Sequence, residues 1–183
     1  MPITSEILNK HKKNIVAFVE TGTFKGDGVV AALDSGFQEI YSIEAYENRY
    51  EDCCHRFENF DNVSLIFGDS SKDLMLILKE LKSRALFWLD AHYYSKNVER
   101  QCPVLLADAQ PIISELRQIN THFIKNHTIL IDDRRLFKGN SPNWNNILEK
   151  EIIEELIKIN PNYSIKFVDS SFCESDIIVA EIL

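Results

Sequence analysis

Val16-Ala17-Phe18-Val19-Glu20-Thr21-Gly22-Thr23-Phe24-Lys25-Gly26-Asp27-Gly28 is an apolar run that ends in an acid and opens into a glycine-bearing loop. Val16 to Val19 shows no polar alternation, as expected for a strand buried on both faces of a parallel sheet. The same grammar returns twice: Ala85 to Leu89 runs into Asp90-Ala91-His92, and Thr128 to Ile131 runs into Asp132-Asp133. Open α/β sheets bind ligands outside the carboxyl ends of their strands, so three acidic clusters at such ends point to one pocket. Capping of the next helix is the plainer alternative for any one cluster. Three in register, one of them a self-repelling pair, favour a site.

Working outward, strand and helix alternate along the whole chain. Strands read at about 14–20, 39–44, 63–67, 85–90 and 127–132, and helices at about 26–35, 47–58, 71–82, 104–120 and 144–159. Two further strands, about 162–168 and 176–182, are separated only by the turn-rich Asp169 to Ser175, which suits an antiparallel hairpin. The expected fold is α/β: one domain spanning 1–183, with a Rossmann-like, doubly wound seven-stranded sheet, mostly parallel with an antiparallel C-terminal hairpin. The long connection after Asp90 holds Tyr93, Tyr94, Ser95, Lys96, Asn97, Glu99 and Arg100. It leaves the sheet at the pocket, and a lid over 93–103 is the expected role.

Composition narrows the function classes. The 183 residues carry 20 basic and 28 acidic side chains, a net charge of −8 without a basic stripe, which argues against nucleic acid as partner. No apolar run is long enough to cross a membrane. Met1 to Lys13 is polar and lacks a signal-peptide core, so the expected location is the cytoplasm. Cys53, Cys54, Cys102 and Cys173 make no C-x-x-C spacing and read as reduced thiols, not as a zinc site. A homodimer is left open.

The loop from Glu20 to Gly28 has the spacing G-x-x-x-G-x-G, which is neither the dinucleotide fingerprint nor a phosphate-binding P-loop. The carboxylate of Glu20 at its start would repel a pyrophosphate and attract a sulfonium or ammonium. S-adenosylmethionine is therefore preferred to NAD or ATP. Glu44 ends the second strand, where an acid accepts both hydroxyls of a ribose. Asp69, followed by Ser70, ends the third; it either meets an adenine amino group or caps the helix that starts near Ser71. The run Glu20, Thr21, Gly22, Thr23 and Gly26, with Glu44, Asp69, Ser70 and Asp90 as further cofactor-binding candidates, resembles the class I S-adenosylmethionine-dependent methyltransferases over essentially the whole chain.

Asp90, Asp132 and Asp133 are expected to converge at two neighbouring strand ends, and three carboxylates share a small pocket only when a cation neutralises them. Oxygen-only donors select Mg²⁺, Mn²⁺ or Ca²⁺. The arrangement is similar to the metal-dependent O-methyltransferases, both the catechol type and the macrolide and aminocoumarin sugar type. That resemblance implies a metal held by Asp90, Asp132 and Asp133, and the Asp-Asp pair leans toward the sugar-modifying branch. His92, two residues past Asp90, resembles the base of those relatives and can receive a hydroxyl proton at neutral pH, with Asp90 as its catalytic companion. His11, His55, His122 and His127 read as surface, helix-face or strand-entry residues, and Trp88 as core. Arg134, Arg135 and Lys138 either orient an acidic acceptor or are solvated loop charges.

Asp90-Ala91-His92-Tyr93 lacks the prolines of the amino-methylating nucleic-acid enzymes, and the short N-terminus lacks the leading helices of the sugar methyltransferases. The leading expectation is an O-methyltransferase acting on a sugar or glycan hydroxyl with Mg²⁺ or Mn²⁺. A catechol-like acceptor is the second, and a methyltransferase-like binding subunit without turnover the third.

Overall fold

A computed structural model of the chain describes residues 3–92, 110–140 and 144–183. Its sheet has seven strands in the order β3-β2-β1-β4-β5-β7-β6. They are β1 (Ala17–Thr21), β2 (Glu39–Glu44), β3 (Val63–Phe67), β4 (Ala85–Leu89), β5 (Thr128–Ile131), β6 (Ser164–Val168) and β7 (Ile177–Glu181). The first five are parallel, and β7 returns antiparallel between β5 and β6. The expected α/β class, strand number and terminal hairpin all hold.

Among the described residues, six α-helices cover the sheet: α1 (Ser5–Lys12), α2 (Asp27–Asp34), α3 (Glu47–Phe57), α4 (Ser70–Glu80), α5 (Ile112–Thr121) and α6 (Glu149–Ile159). The period of two along each strand sorts the core into two layers. Val19, Phe87, Leu89, Ile129 and Ile131 pack with Leu74 of α4, Leu116 of α5 and Ile152 of α6. Phe18, Leu86, Trp88 and Leu130 face the other way, toward Leu8, Val29 and Phe57 of α1, α2 and α3. Strand order reverses between β1 and β4, and this switch point opens the crevice in which such sheets take ligands.

Three expectations need correcting. The polar N-terminus forms α1: Thr4 caps it, Leu8 is fully buried, and Lys12 Nζ reaches the carbonyls of Ser35 (2.6 Å) and Gly36 (2.7 Å) at the end of α2. The helix expected from 144 begins at Glu149, because Asn145 and Asn146 both hold left-handed backbone conformations, which a helix cannot contain. Glu151 then fixes the start by accepting the Leu148 N–H at 2.8 Å. Finally, α5 starts after Pro111; the earlier part of the helix expected at 104–120, Cys102 and the expected lid at 93–103 lie outside the described residues. No described helix is long and apolar enough to cross a membrane.

Candidate functional site

The loop between β1 and α2 is held from below. Gly22, at φ +85°, turns the chain so tightly against β4 that a Cβ there would lie 3.0 Å from the backbone of Asp90 and Ala91. The N–H groups of Gly22 and Thr23 both donate to the Ile43 carbonyl, tying the loop to β2. Gly26 precedes α2 and lies against the Phe57 ring.

Glu20 does not open onto a ligand, contrary to the expectation from sequence. Its carboxyl is buried beneath the loop, Oε1 occupies the space a Cβ on Gly28 would need, and Oε2 accepts from Ser42 Oγ at 2.7 Å. Thr23 Oγ1 lies 2.6 Å from Ser42 Oγ, so Thr23 donates into the same chain. Burial pushes the Glu20 pKa up to about 8, with the charges of Glu44 and Asp27 adding to the effect against the Ser42 bond. An uncharged carboxyl at neutral pH supports the loop; it does not attract a sulfonium.

Glu44 lies at the crevice, where Oε2 takes the Phe24 N–H (2.7 Å), Oε1 the Tyr46 N–H (2.9 Å), and the Ala45 N–H adds a third amide. Burial raises its pKa, opposed by those amides and by Arg49. The Arg49 guanidinium is sandwiched between the rings of Phe24 and Tyr46, 4.6 Å from each centroid, an aromatic clamp that single-residue reading of the sequence does not reveal. Asp69 caps α4, its Oδ1 accepting the Ser71 N–H at 3.0 Å while Oδ2 pairs with Lys72 at 3.4 Å. Ser70 is buried beside it, and its carbonyl accepts from Gln118 Nε2 at 2.9 Å.

Asp90, Asp132 and Asp133 follow adjacent strands, paired through Leu89 and Ile131. They do not gather as a single triad. Oxygens of Asp90 and Asp133 meet the His92 ring within 4.8 Å of one another, and Asp132 and Asp133 make a second group with Asp176. Asp133, at φ +62°, sits in the left-handed region and is shared by both groups. Part of the charge is already balanced. Arg135 Nη2 is 2.7 Å from Asp133 Oδ1, and Arg135 also pairs with the fully buried Asp176. Arg134 pairs with Glu149 at 2.6 Å and covers the Phe167 ring. Arg134 and Arg135 thus pair with carboxylates of their own chain. Burial, first, and then Asp132, Asp133 and Glu20 drive the Asp90 pKa well up, and its Oδ1 is buried without a hydrogen-bond partner. An orphaned carboxylate oxygen between two other acids fits a hard divalent cation.

His92 Nε2 lies 3.8 Å from Asp133 Oδ2 and 4.0 Å from Asp90 Oδ1. Its ring stacks on Trp144 with centroids 5.0 Å apart, and Trp144 meets the edge of Phe137. Burial lowers the His92 pKa, partly offset by Asp133. The pocket bounded by these side chains also includes Gln110, Ile112 and Glu115. Trp144 and Glu115 were missed from sequence. A tryptophan among turn formers (Asn143-Trp144-Asn145-Asn146) and an acid on the apolar stripe Ile112, Leu116, Ile119 were the available signals.

No family model matches the sequence, and no curated protein matches it significantly. Solved structures do match. An O-methyltransferase from Bacillus cereus in complex with S-adenosylhomocysteine aligns over 98% of this chain and 78% of its own, with a TM-score of 0.69 at 15% identity. The chain has the class I methyltransferase fold. A Podospora anserina methyltransferase bound to S-adenosylhomocysteine covers 98% of this chain and 77% of its own (TM-score 0.60, 14% identity). The N-methyltransferase NodS from Bradyrhizobium japonicum covers 96% and 90% (TM-score 0.58, 12% identity). Oxygen- and nitrogen-methylating enzymes thus share this fold, which leaves the acceptor to be argued from the site.

Proposed function

We propose that this chain transfers a methyl group from S-adenosylmethionine to a hydroxyl of a sugar or glycan, using a divalent cation, Mg²⁺ or Mn²⁺. The observation that carries the reading is the meeting of Asp90, Asp133 and His92 at the same sheet edge as Glu44 and the Gly22 turn. The donor's ribose hydroxyls suit the Glu44 carboxylate, and Asp69 and Ser70 border the adenine side. Thr21, Gly22, Thr23 and Gly26 shape the loop against its amino-acid arm, with Glu20 as support beneath.

Asp90 and Asp133, with Asp132 behind them, would hold the cation, which when bound orients a diol and makes one hydroxyl more acidic. His92 Nε2 takes the proton of that hydroxyl as its oxygen bonds to the methyl carbon. The carbon–sulfur bond breaks in the same step, and S-adenosylhomocysteine is the second product. Phe137 and Trp144 form an aromatic wall beside His92 that suits the apolar face of a sugar ring. The same wall favours a planar catechol as the second reading.

A transfer assay read by mass, with S-adenosylmethionine, Mg²⁺ or Mn²⁺, and a panel of deoxysugar glycosides and catechols, separates the two. Methylated sugar is the expected product. Methylated catechol alone selects the second reading, and binding of S-adenosylhomocysteine without turnover on either class selects a non-catalytic binding subunit.

A further inference from the structure

Glu115 is an anomaly in the body of the fold. It lies on the inward stripe of α5, is 1% exposed, and neither carboxyl oxygen has a hydrogen-bond partner. The hydroxyls of Ser70 and Thr21 lie beside it and draw its pKa down, Asp69 pushes it up, and burial dominates, holding it at about 7. Thr21 Oγ1, at the last residue of β1, is buried beside that carboxyl. Glu115 lines the pocket that also holds Asp90, Ala91 and His92, and Thr21 directly precedes the Gly22 turn beside it.

A buried carboxyl whose neighbouring donors are hydroxyls alone, with no amide or cation against it, is costly, and it persists where a ligand supplies what the protein withholds. Two buried carboxyl oxygens that face only the Ser70 and Thr21 hydroxyls call for a group with several N–H donors and no acceptor. An ammonium has three such donors. We propose that Glu115, with Thr21, receives the α-ammonium of the donor's amino-acid arm. This inference rests on the donor reading above and adds to it a binding residue on α5, away from the strand ends.

The test compares two ligands by calorimetry on the full chain. S-adenosylhomocysteine carries the amino-acid arm; 5′-methylthioadenosine shares the adenosine and thioether and lacks that arm. Glu115→Gln should weaken S-adenosylhomocysteine about tenfold or more, the range for a charged hydrogen bond, and leave 5′-methylthioadenosine unchanged. Equal binding of S-adenosylhomocysteine by variant and wild type, or parallel loss of both ligands, overturns the proposal. Should the variant fail to fold, the wild type decides: S-adenosylhomocysteine stripped of its amino group should bind about tenfold or more weakly, and undiminished binding overturns the proposal. Wild type that binds neither ligand removes the donor reading itself, whereas a wild type that binds both beside an indifferent variant removes only the role of Glu115.

Discussion

Arg135 grips Asp133 by Oδ1 at 2.7 Å and so leaves Oδ2 turned toward His92, 3.8 Å away. One arginine therefore sets how much of the acid pair is free for chemistry. The same guanidinium is the charge partner of Asp176, whose side chain has no solvent exposure. Arg135→Met should cost about 3 kcal/mol of stability, because it leaves the buried Asp176 carboxylate without its cation, with only the backbone N–H of residue 135 and Ser170 Oγ as donors. Denaturant midpoints measure this; a midpoint within error of wild type would show that the carboxyls had simply taken up protons.

Removing the proposed cation should be separable from removing the donor. Asp132→Asn and Asp133→Asn are expected to abolish transfer and weaken Mn²⁺ binding, while S-adenosylhomocysteine affinity stays close to wild type. Excess EDTA should do the same to the wild type. Full turnover in EDTA, with no metal detected in the protein, would dismiss the cation.

His92 can serve as base or as a nitrogen ligand, since Nε2 faces both carboxylates. As base, His92→Ala lowers kcat roughly 10²–10⁴-fold and leaves Mn²⁺ affinity intact. A parallel fall in Mn²⁺ affinity would make it a ligand, and a nitrogen donor would then shift preference from Mg²⁺ toward Mn²⁺.

Burial holds the folded Glu20 pKa up at about 8, against about 4.5 for a free glutamate. The folded state thus holds a proton that the unfolded chain gives up. The stability this contributes is complete below pH 4.5 and is lost as pH rises through 8. Glu20→Gln keeps the shape without the ionisation, so it should gain on wild type with rising pH, on the order of 3 kcal/mol by pH 8. Parallel melting curves for the two proteins across that window would rule this out.

His127 has the opposite sign. Its Nδ1 accepts the Ala85 N–H at 3.0 Å, which places the ring proton on Nε2, directed at His122 Nδ1 2.9 Å away. Burial, with His122 and Arg84 adding, lowers its pKa from 6.5 to about 3. Stability from this residue is present above pH 6.5 and is lost progressively as pH falls toward 3. Urea midpoints should decline by the equivalent of about 2 kcal/mol between pH 7 and 5, and His127→Asn should flatten that decline. An unchanged slope in the variant would assign the acid sensitivity elsewhere.

Strand positions and the acidic strand ends were legible because burial on both faces leaves continuous apolar runs, as at Ala85 to Leu89. The helix α1 was not, since one buried leucine among lysines and a glutamate carries almost no periodic signal. His122 and His127, assigned to exposed or strand-entry positions, are a buried pair whose bond depends on the ends of α5 and β5 meeting. Glu20 illustrates the deeper limit. Its place at a strand end was evident, but whether its carboxyl points out of or under the loop depends on Gly28 leaving room for it. Glu115 was hidden by the opposite effect: helical periodicity placed it inward, where an acid is easily discounted as noise in an amphipathic pattern.

The contact of Gly22 with the backbone of Asp90 and Ala91 fuses the two halves of the crevice into one wall. The segment that embraces one reactant and the segment that presents the other cannot drift independently, either thermally or through mutation. Redesign of the acceptor side would have to respect a steric boundary set by the first strand. Enlarging Gly22 to alanine would act like a wedge, prising apart the ends of β1 and β4 and spoiling both halves with one methyl group.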